Sequence, residues 1–201
     1  MNAGKLIVFE GIDGCGKSTQ RDRLAAALRA TGSEVVTTAE PTAGTWGRRI
    51  RAAARSGAAV PAQQELAWFT QDRRDHVAEV IRPALARGSV VVSDRYFLST
   101  VAYQGARGCD ADEILAASEA EFPLPDLVLL LMIAPAAGLA RVRERAAVAE
   151  PRFEEAEFLT AVAGIFAKLD RPYIVRIDAA QPVAAVEAEI AVRVRERLKL
   201  L

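Results

Sequence analysis

The stretch KLIVFEGIDGCGKSTQ, residues 5–20, decides the fold of this chain. It begins with a short apolar run typical of a β-strand, residues 5–10, and continues through a glycine-rich turn into a segment with helical apolar spacing. The turn, residues 11–18, fits the pattern G-x-x-x-x-G-K-[ST] completely. Because the pattern lies between a strand and a helix, it predicts a loop that holds the phosphates of a nucleoside triphosphate.

Each residue type in this loop has a physical reason to be there. Glycines let backbone N–H groups turn toward a phosphate, and the helix N-terminus adds about half a positive charge. Lys17 is expected to reach the β- and γ-phosphates, and Ser18 to ligate Mg²⁺. The alternative is a glycine-rich turn with a coincidental Lys-Ser pair. We predict binding of ATP with Mg²⁺, the phosphates being held by Gly11, Ile12, Asp13, Gly14, Cys15, Gly16, Lys17, Ser18 and Thr19.

Outward from the loop, strand-like and helix-like segments alternate. Further strands are predicted at 34–38, 89–94, 127–133 and 173–177. Helices are predicted at 17–30, 46–55, 62–87, 111–120, 136–145, 154–169 and 183–198, with Pro83 bending or breaking the third of these. Strands separated by helices pair in parallel through right-handed crossovers, so we predict one α/β domain over residues 1–201.

Composition narrows the classes of function. The 201 residues are 51% hydrophobic, which excludes a disordered chain, and 26 basic residues balance 26 acidic ones. That balance argues against a protein built to bind nucleic acid or an anionic membrane. The longest apolar run, residues 127–134, has eight residues, against roughly 20 for a membrane span. Two cysteines without a framework, one histidine and no signal-peptide pattern lead us to expect a cytoplasmic protein without zinc.

Two short motifs are candidates for a second pocket. Asp94-Arg95-Tyr96 follows the third predicted strand, where ligands bind in open α/β sheets. Asp94 could hold Mg²⁺ through water and Arg95 could bridge two phosphates, the alternative being a strand-end salt bridge. Phe69 and Arg73 share one helix face, so they could stack on a base and bond its edge, the alternative for Phe69 being core packing.

An arginine cluster is a candidate lid, at about residues 143–154. Arg141, Arg143, Arg145 and Arg152 lie at a predicted helix end and in the polar stretch after it. Guanidinium groups brought over a transferring phosphoryl group stabilise its spread charge. The alternative is a solvated helix end paired with Glu144, Glu150 and Glu154.

These motifs together resemble the thymidylate kinase family, of bacterial type, in the P-loop nucleoside monophosphate kinase superfamily. The likeness runs in order over essentially the whole chain. Its most specific part is the spacing between Asp94-Arg95-Tyr96 and the block STVAYQG. The matching blocks are FEGIDGCGKSTQ (9–20), EPT (40–42), the Phe69–Arg73 pair, VIRPAL (80–85), DRY (94–96), STVAYQG (99–105), PD (125–126) and RFE (152–154).

The resemblance implies a fold and a reaction. The fold is the P-loop NTPase α/β fold, a five-stranded parallel sheet flanked by helices on both faces with a short Arg-rich lid. The reaction is Mg²⁺-dependent phosphoryl transfer from ATP to dTMP, giving dTDP and ADP, in dTTP biosynthesis. The family also implies a homodimer whose other ligands are small nucleotides.

The resemblance also implies roles for individual residues. Phe69 would stack on thymine, and Arg73 would bond its edge. Tyr103 would crowd the sugar 2′ position, which favours deoxyribose, and Asp13 would meet the 3′-hydroxyl side. The residues implied to bind dTMP are Asp13, Glu40, Pro41, Arg51, Phe69, Arg73, Arg95, Thr100, Tyr103 and Gln104, with Arg51 and Arg95 on its phosphate and Thr100 and Gln104 near the base.

The loop carries no arginine where one branch of the family has one. Gly14 occupies that position, so the resemblance implies that lid arginines supply the charge. The implied catalytic residues are Lys17, Arg95, Arg143, Arg145 and Arg152.

Five positions depart from the family's usual residues. Cys15 stands in place of Ala, and Ala39 in place of an Arg before Glu-Pro. Met132 replaces a frequent Asp, Pro151 replaces an Asp before Arg-Phe-Glu, and Ile165 replaces a common Tyr. None of these departures removes Lys17, Ser18, Asp94 or Arg95. They bear instead on the geometry of the lid and on the catalytic efficiency.

Two other functions stay open from the residues alone. One is a kinase of another small acceptor, such as a different nucleoside monophosphate, a deoxynucleoside or a sulfonucleotide. The other is a non-catalytic nucleotide-binding module or a partition-type NTPase that needs a partner. Release of ADP across a panel of monophosphates distinguishes the three.

Overall fold

A five-stranded parallel sheet forms the centre of the molecule. The computed structural model describes residues 4–57, 59–146 and 153–201. The strands lie in the order β2-β3-β1-β4-β5. The predicted fold class is confirmed, and each predicted strand lies within one residue of its observed bounds. The strands are β1 (Lys5–Glu10), β2 (Val35–Ala39), β3 (Val90–Asp94), β4 (Leu127–Met132) and β5 (Ile174–Asp178).

Helices cover the sheet. The helices α1 and α9 contact each other and the strands, whereas α5 packs against α3, α6 and α8. No helix in the described ranges is long and apolar enough to cross a membrane. The helices are α1 (Lys17–Ala30), α2 (Thr45–Ser56), α3 (Ala62–His76), α4 (Arg82–Ala86), α5 (Phe97–Ala106), α6 (Ala111–Glu121), α7 (Pro135–Ala146), α8 (Phe153–Lys168) and α9 (Val183–Leu198).

The strand register brings three strand ends to one edge of the sheet. Ala39 on β2 pairs with Asp94 on β3, and Asp94 pairs with Phe9 on β1. The centres of these strands are apolar because both faces of a parallel sheet are covered, and Leu6, Val91 and other central residues are fully buried. The polar residues that follow the strands therefore meet at this edge.

The predicted helix 62–87 is interrupted earlier than expected. The helix α3 ends at His76, a π-helical stretch covers Val77–Ile81, and α4 follows. Proline has no N–H, and its ring clashes with the carbonyl four residues before it. The wider turn that precedes Pro83 accommodates this clash.

The sequence analysis did not predict α5 as a helix. Most of its residues are buried, including the polar Ser99, Thr100 and Gln104. A helix that is buried around most of its circumference has no polar face, so the usual apolar spacing is missing.

Candidate functional site

The phosphate-binding loop has the predicted position between β1 and α1. Gly14 and Gly16 adopt left-handed backbone conformations, with φ of 81° and 99°. Glycine adopts these conformations without the strain that a Cβ atom brings. The Lys17 Nζ donates to the carbonyl oxygens of Gly11 at 3.0 Å and Ile12 at 2.8 Å, so the ammonium group lies inside the loop.

The helix α7 packs tightly onto this loop. A Cβ atom at Gly14 would lie 2.1 Å from the carbonyl oxygen of Gly138, and one at Gly138 would lie 2.6 Å from that of Asp13. Because backbone atoms cause both clashes, a larger residue at position 14 requires α7 to move. The absence of an arginine at position 14 therefore has a steric reason here.

A hydroxyl and a carboxylate meet at the start of α1. The Ser18 Oγ donates to the Asp94 Oδ2 at 2.5 Å, because the strand register places the end of β3 beside the loop. Hydroxyl and carboxylate oxygens are the ligands that Mg²⁺ prefers, so these two residues fit the predicted metal site.

Arg95 joins the loop to the neighbouring cleft. It is a non-glycine residue with a φ of 72°, a strained conformation of the kind found at functional sites. Its guanidinium donates to Asp13 Oδ1 at 2.6 Å and Ser99 Oγ at 2.8 Å, and lies 5.1 Å from the centre of the Tyr103 ring. Burial alone would raise the pKa of Asp13, but the charges of Arg95 and Lys17 lower it below its usual range.

Glu10, at the end of β1, fixes the segment that follows Arg95. Its buried carboxyl accepts hydrogen bonds from Tyr96 N at 2.9 Å, Ser99 N at 3.0 Å and Ser99 Oγ at 2.5 Å. These backbone groups belong to the first turn of α5, so Glu10 caps that helix from another strand. Burial raises the pKa of Glu10 to about 7, although Ser99 and Arg95 act to lower it. No role was predicted for Glu10 from the sequence.

A cleft of about 330 Å³ lies beside Arg95. The structure brings nine of the ten residues implied to bind dTMP to its wall. The exception is Arg51, which donates to the carbonyl oxygens of Pro41 at 2.7 Å and Thr42 at 2.5 Å. The lining residues are Asp13, Glu40, Pro41, Glu65, Phe69, Arg73, Arg95, Tyr96, Ser99, Thr100, Tyr103, Gln104, Arg107 and Phe158.

A buried charge network holds Arg73 at this wall. Its Nε and Nη2 donate to the Glu40 Oε2 at 2.9 and 2.6 Å, and Nη2 also donates to the Thr100 Oγ1 at 2.8 Å. The other oxygen of Glu40 lies 2.9 Å from the Nδ1 of His76, whose Nε2 lies 2.6 Å from the Thr38 Oγ1. Burial would raise the pKa of Glu40, but the charge of Arg73 and the hydrogen bond with His76 lower it.

Sequence reasoning missed several residues that form this wall or support it. His76 lies three residues after Arg73 on α3, and that spacing was the available signal. Phe158 comes from α8 and meets the Tyr103 ring edge-on at 6.1 Å between ring centres. Glu65 and Arg107 form an ion pair across the cleft wall. These last two contacts join distant parts of the chain, so spacing carries no signal for them.

A second cleft, of about 520 Å³, lies on the other side of the loop. Loop residues, Arg141 and Glu144 from α7, and the turn before α9 line it. The Arg141 Nη1 donates to the Ala179 carbonyl oxygen at 3.1 Å, which ties α7 to that turn.

The lid arginines are described only in part. Arg143 is half-buried on α7, and its Nε has no hydrogen-bond partner within the described residues. Arg145 belongs to the last turn of α7. Glu150, Pro151 and Arg152 lie outside the described residues, so their predicted roles stay predictions.

The other departures from the family pattern have clear positions. Ala39 and Met132 end β2 and β4. Ile165 lies against Gly105, where a Cβ atom would be 2.9 Å from its Cδ1. The buried Cys15 Sγ accepts from the Lys17 Nζ at 3.6 Å, and burial raises the pKa of this thiol.

Comparison with known proteins adds to this geometry. A family model described as thymidylate kinase matches residues 9–190. The chain is similar to the thymidylate kinase of Desulfotalea psychrophila, with 44% identity over 99% of this chain and 98% of the relative. It is 45% identical to that of Akkermansia muciniphila over 98% and 92% of the two chains. It is 46% identical to the thymidylate kinase of Xanthomonas campestris, over 96% of this chain and 87% of the relative.

Proposed function

The chain belongs to the thymidylate kinase family, and we propose that it transfers the terminal phosphoryl group of ATP to the phosphate of dTMP. Within the site, the position of Arg95 is the observation that supports this proposal most directly. Arg95 lines the acceptor cleft and at the same time contacts the phosphate-binding loop through Asp13 and the Gly11 carbonyl at 3.3 Å. A cation at that junction serves a reaction that joins one phosphate to another.

The loop and the end of β3 form the donor half of the reaction. The loop amides and Lys17 hold the ATP phosphates, and Lys17 leaves the Gly11 and Ile12 carbonyls to reach them. Ser18 and Asp94 would hold Mg²⁺, which would supply positive charge beside the phosphate oxygens.

The cleft forms the acceptor half. Phe69 stacks on the thymine ring, and Arg73, fixed by Glu40, donates to the base edge. The Tyr103 hydroxyl donates to the Asp13 Oδ2 at 3.3 Å, so the tyrosine ring limits the space around the sugar. Arg95 orients the acceptor phosphate for attack on the transferred group.

The lid arginines are proposed to supply the remaining positive charge around the transferred phosphoryl group. Gly14 brings no side chain, so we assign this charge to Arg143, Arg145 and Arg152 together with Lys17 and Arg95. Replacing Arg143 and Arg145 by Ala, singly and together, is expected to lower kcat and kcat/KM in parallel with little change in ATP affinity. Single-turnover rates with matched ATP titrations measure this. Wild-type chemistry in the double variant would assign the charge to Arg95 and Lys17 alone.

We further propose a homodimer that acts in the cytoplasm. The family resemblance supports the dimer, and the two free, buried cysteines suit a reducing compartment. Analytical ultracentrifugation of the full chain tests the dimer, and a single species at monomer mass would contradict it.

A monophosphate panel tests the proposed reaction directly. The full chain is incubated with ATP, Mg²⁺ and each nucleoside monophosphate, and both ADP release and the phosphorylated product are measured. We expect dTDP to form fastest. ADP release without a phosphorylated acceptor, or a faster reaction with another monophosphate, would contradict the proposal.

A further inference from the structure

The amide of Gln104 has a fixed orientation at the wall of the acceptor cleft. Its side chain is 1% exposed, and its Nε2 donates to the Glu65 Oε2 at 2.8 Å. Its Oε1 is buried and has no hydrogen-bond partner within the part of the chain that the structure describes. A buried acceptor without a partner costs free energy, and such groups in native structures have a reason to be there.

Glu65 determines which end of this amide is free. A carboxylate only accepts hydrogen bonds, so Gln104 must present its NH₂ group to Glu65 and keep its oxygen for a ligand. Rotating the amide by half a turn would place two oxygens against each other. Arg107 pairs with the same Glu65 oxygen and donates to the Val60 carbonyl at 2.6 Å, which holds Glu65 in place.

Arg73 offers the opposite hydrogen-bonding group at the same wall. Its Nε and Nη2 are engaged by Glu40 and Thr100, whereas its Nη1 makes no hydrogen bond with any described residue. Arg73 and Gln104 thus offer one donor and one acceptor. A base with an acceptor at C4 and an N–H at position 3 matches this pair, as in thymine, whereas cytosine has the reverse pattern.

We infer that Glu65 is a specificity-determining positioning residue, which selects the N3–H edge of the base by fixing the Gln104 amide. This inference rests on the proposed function and adds to it a residue that does not itself need to touch the nucleotide. Without the carboxylate, the Gln104 amide can present either end, so the wall no longer distinguishes an N–H from an acceptor at position 3 of the base, whereas Arg73 still favours an acceptor at C4.

The test compares dTMP with 5-methyl-dCMP, which has the same methyl group, sugar and phosphate and differs only at the base edge. We expect Glu65→Gln to lower the ratio of kcat/KM for dTMP over 5-methyl-dCMP by about tenfold or more. The change arises from a higher KM for dTMP, with kcat within about threefold of wild type. Each ratio is measured on one preparation, so a loss of folded protein cancels.

Two further variants separate positioning from structural support. Glu121→Gln removes a carboxylate that pairs with Arg74 on α3 outside the cleft, and is expected to leave the ratio unchanged. The double variant Glu65→Gln/Gln104→Glu exchanges the amide and the carboxylate, so a carboxylate oxygen again faces the base. We expect it to recover most of the wild-type preference for dTMP over 5-methyl-dCMP. If Glu65→Gln does not fold, Glu65→Met keeps the side-chain length, and the same loss of the ratio is expected.

The outcomes are distinct. A ratio within twofold of wild type in the folded Glu65 variants, whatever their total activity, would overturn the inference and leave the proposed function standing. A wild-type chain that does not phosphorylate dTMP at all would overturn the proposed function, and this inference with it.

Discussion

The donor loop and the acceptor cleft are built in different ways. The loop is one contiguous segment, in which Lys17 bonds to carbonyls five and six residues earlier. The cleft depends on side chains far apart in sequence, such as Glu40 and Arg73, which are 33 residues apart. Replacing a loop residue should therefore affect mainly the reaction, and replacing a cleft residue mainly stability or selectivity.

The largest effect is expected at the loop. Lys17→Ala removes the cation that we propose neutralises the transferred group, so kcat should fall by roughly 10³-fold or more, about 4 kcal/mol. The unfolding midpoint should fall only modestly, because the variant takes this donor from the Gly11 and Ile12 carbonyl oxygens but leaves no buried charge unpaired. Steady-state kinetics and thermal unfolding measure both, with the exposed Lys5→Ala as control. Near-normal turnover in a folded variant would contradict the kinase assignment.

The buried network of the cleft should give the next largest effect, in stability. Glu40→Gln leaves the Arg73 guanidinium buried without a counter-charge, which should lower the free energy of unfolding by about 3 kcal/mol. The matched variant Glu121→Gln breaks an exposed pair with Arg74 and should cost less than about 1 kcal/mol. Urea unfolding curves measure the two. Equal costs would show that the buried network contributes no more to stability than an exposed ion pair does.

Glu10 lies between the two regions and should make stability depend on pH. Its pKa is about 7 in the folded chain, above the ordinary value of 4.5, so the folded chain binds a proton that the unfolded chain releases. The free energy of unfolding should then rise by about 2 kcal/mol from this group as pH falls from 8 to 5. Glu10→Gln should lose this contribution. If the free energy of unfolding depends on pH in the same way in the wild type and the variant, Glu10 does not titrate in this range.

The smallest effect concerns selectivity for the sugar. Tyr103→Ala opens space beside Asp13, so the preference for dTMP over the ribonucleotide with the same base should narrow by about tenfold. The ratio of kcat/KM for the two substrates measures it. An unchanged ratio would show that another group excludes the 2′-hydroxyl.

The same contrast explains how much the sequence could predict. The strands and the loop follow from local patterns, because apolar runs, glycines and the Lys-Ser pair are adjacent in the chain. The helix α5 could not be predicted in this way, since its buried polar residues face a cleft and its cap, Glu10, comes from β1. A break near Pro83 in the predicted helix 62–87 was expected, but the structure places the interruption several residues earlier, at Val77–Ile81.

Nine of the ten residues that the family resemblance implied for dTMP lie at the cleft, all but Arg51, whereas the residues that support them were missed. Gln104 was identified but not Glu65, and Arg73 was identified but not His76. A support acts through a contact that the fold creates, so its chemistry does not distinguish it from an ordinary surface or core residue. Of these two, only His76, three residues after Arg73, had a spacing that could have pointed to it.

The contact between Gly14 and Gly138 constrains the evolution of this enzyme. An arginine arising at position 14 would meet the backbone of α7 before it could reach a phosphate, and the clash lies with main-chain atoms that no single replacement at Gly138 removes. With α7 packed in this way, a cation on the loop could take over from a cation on the lid only after α7 has moved. The helix must first be displaced by changes elsewhere, so the order of mutations, and not only their sum, decides which arrangement a descendant can reach.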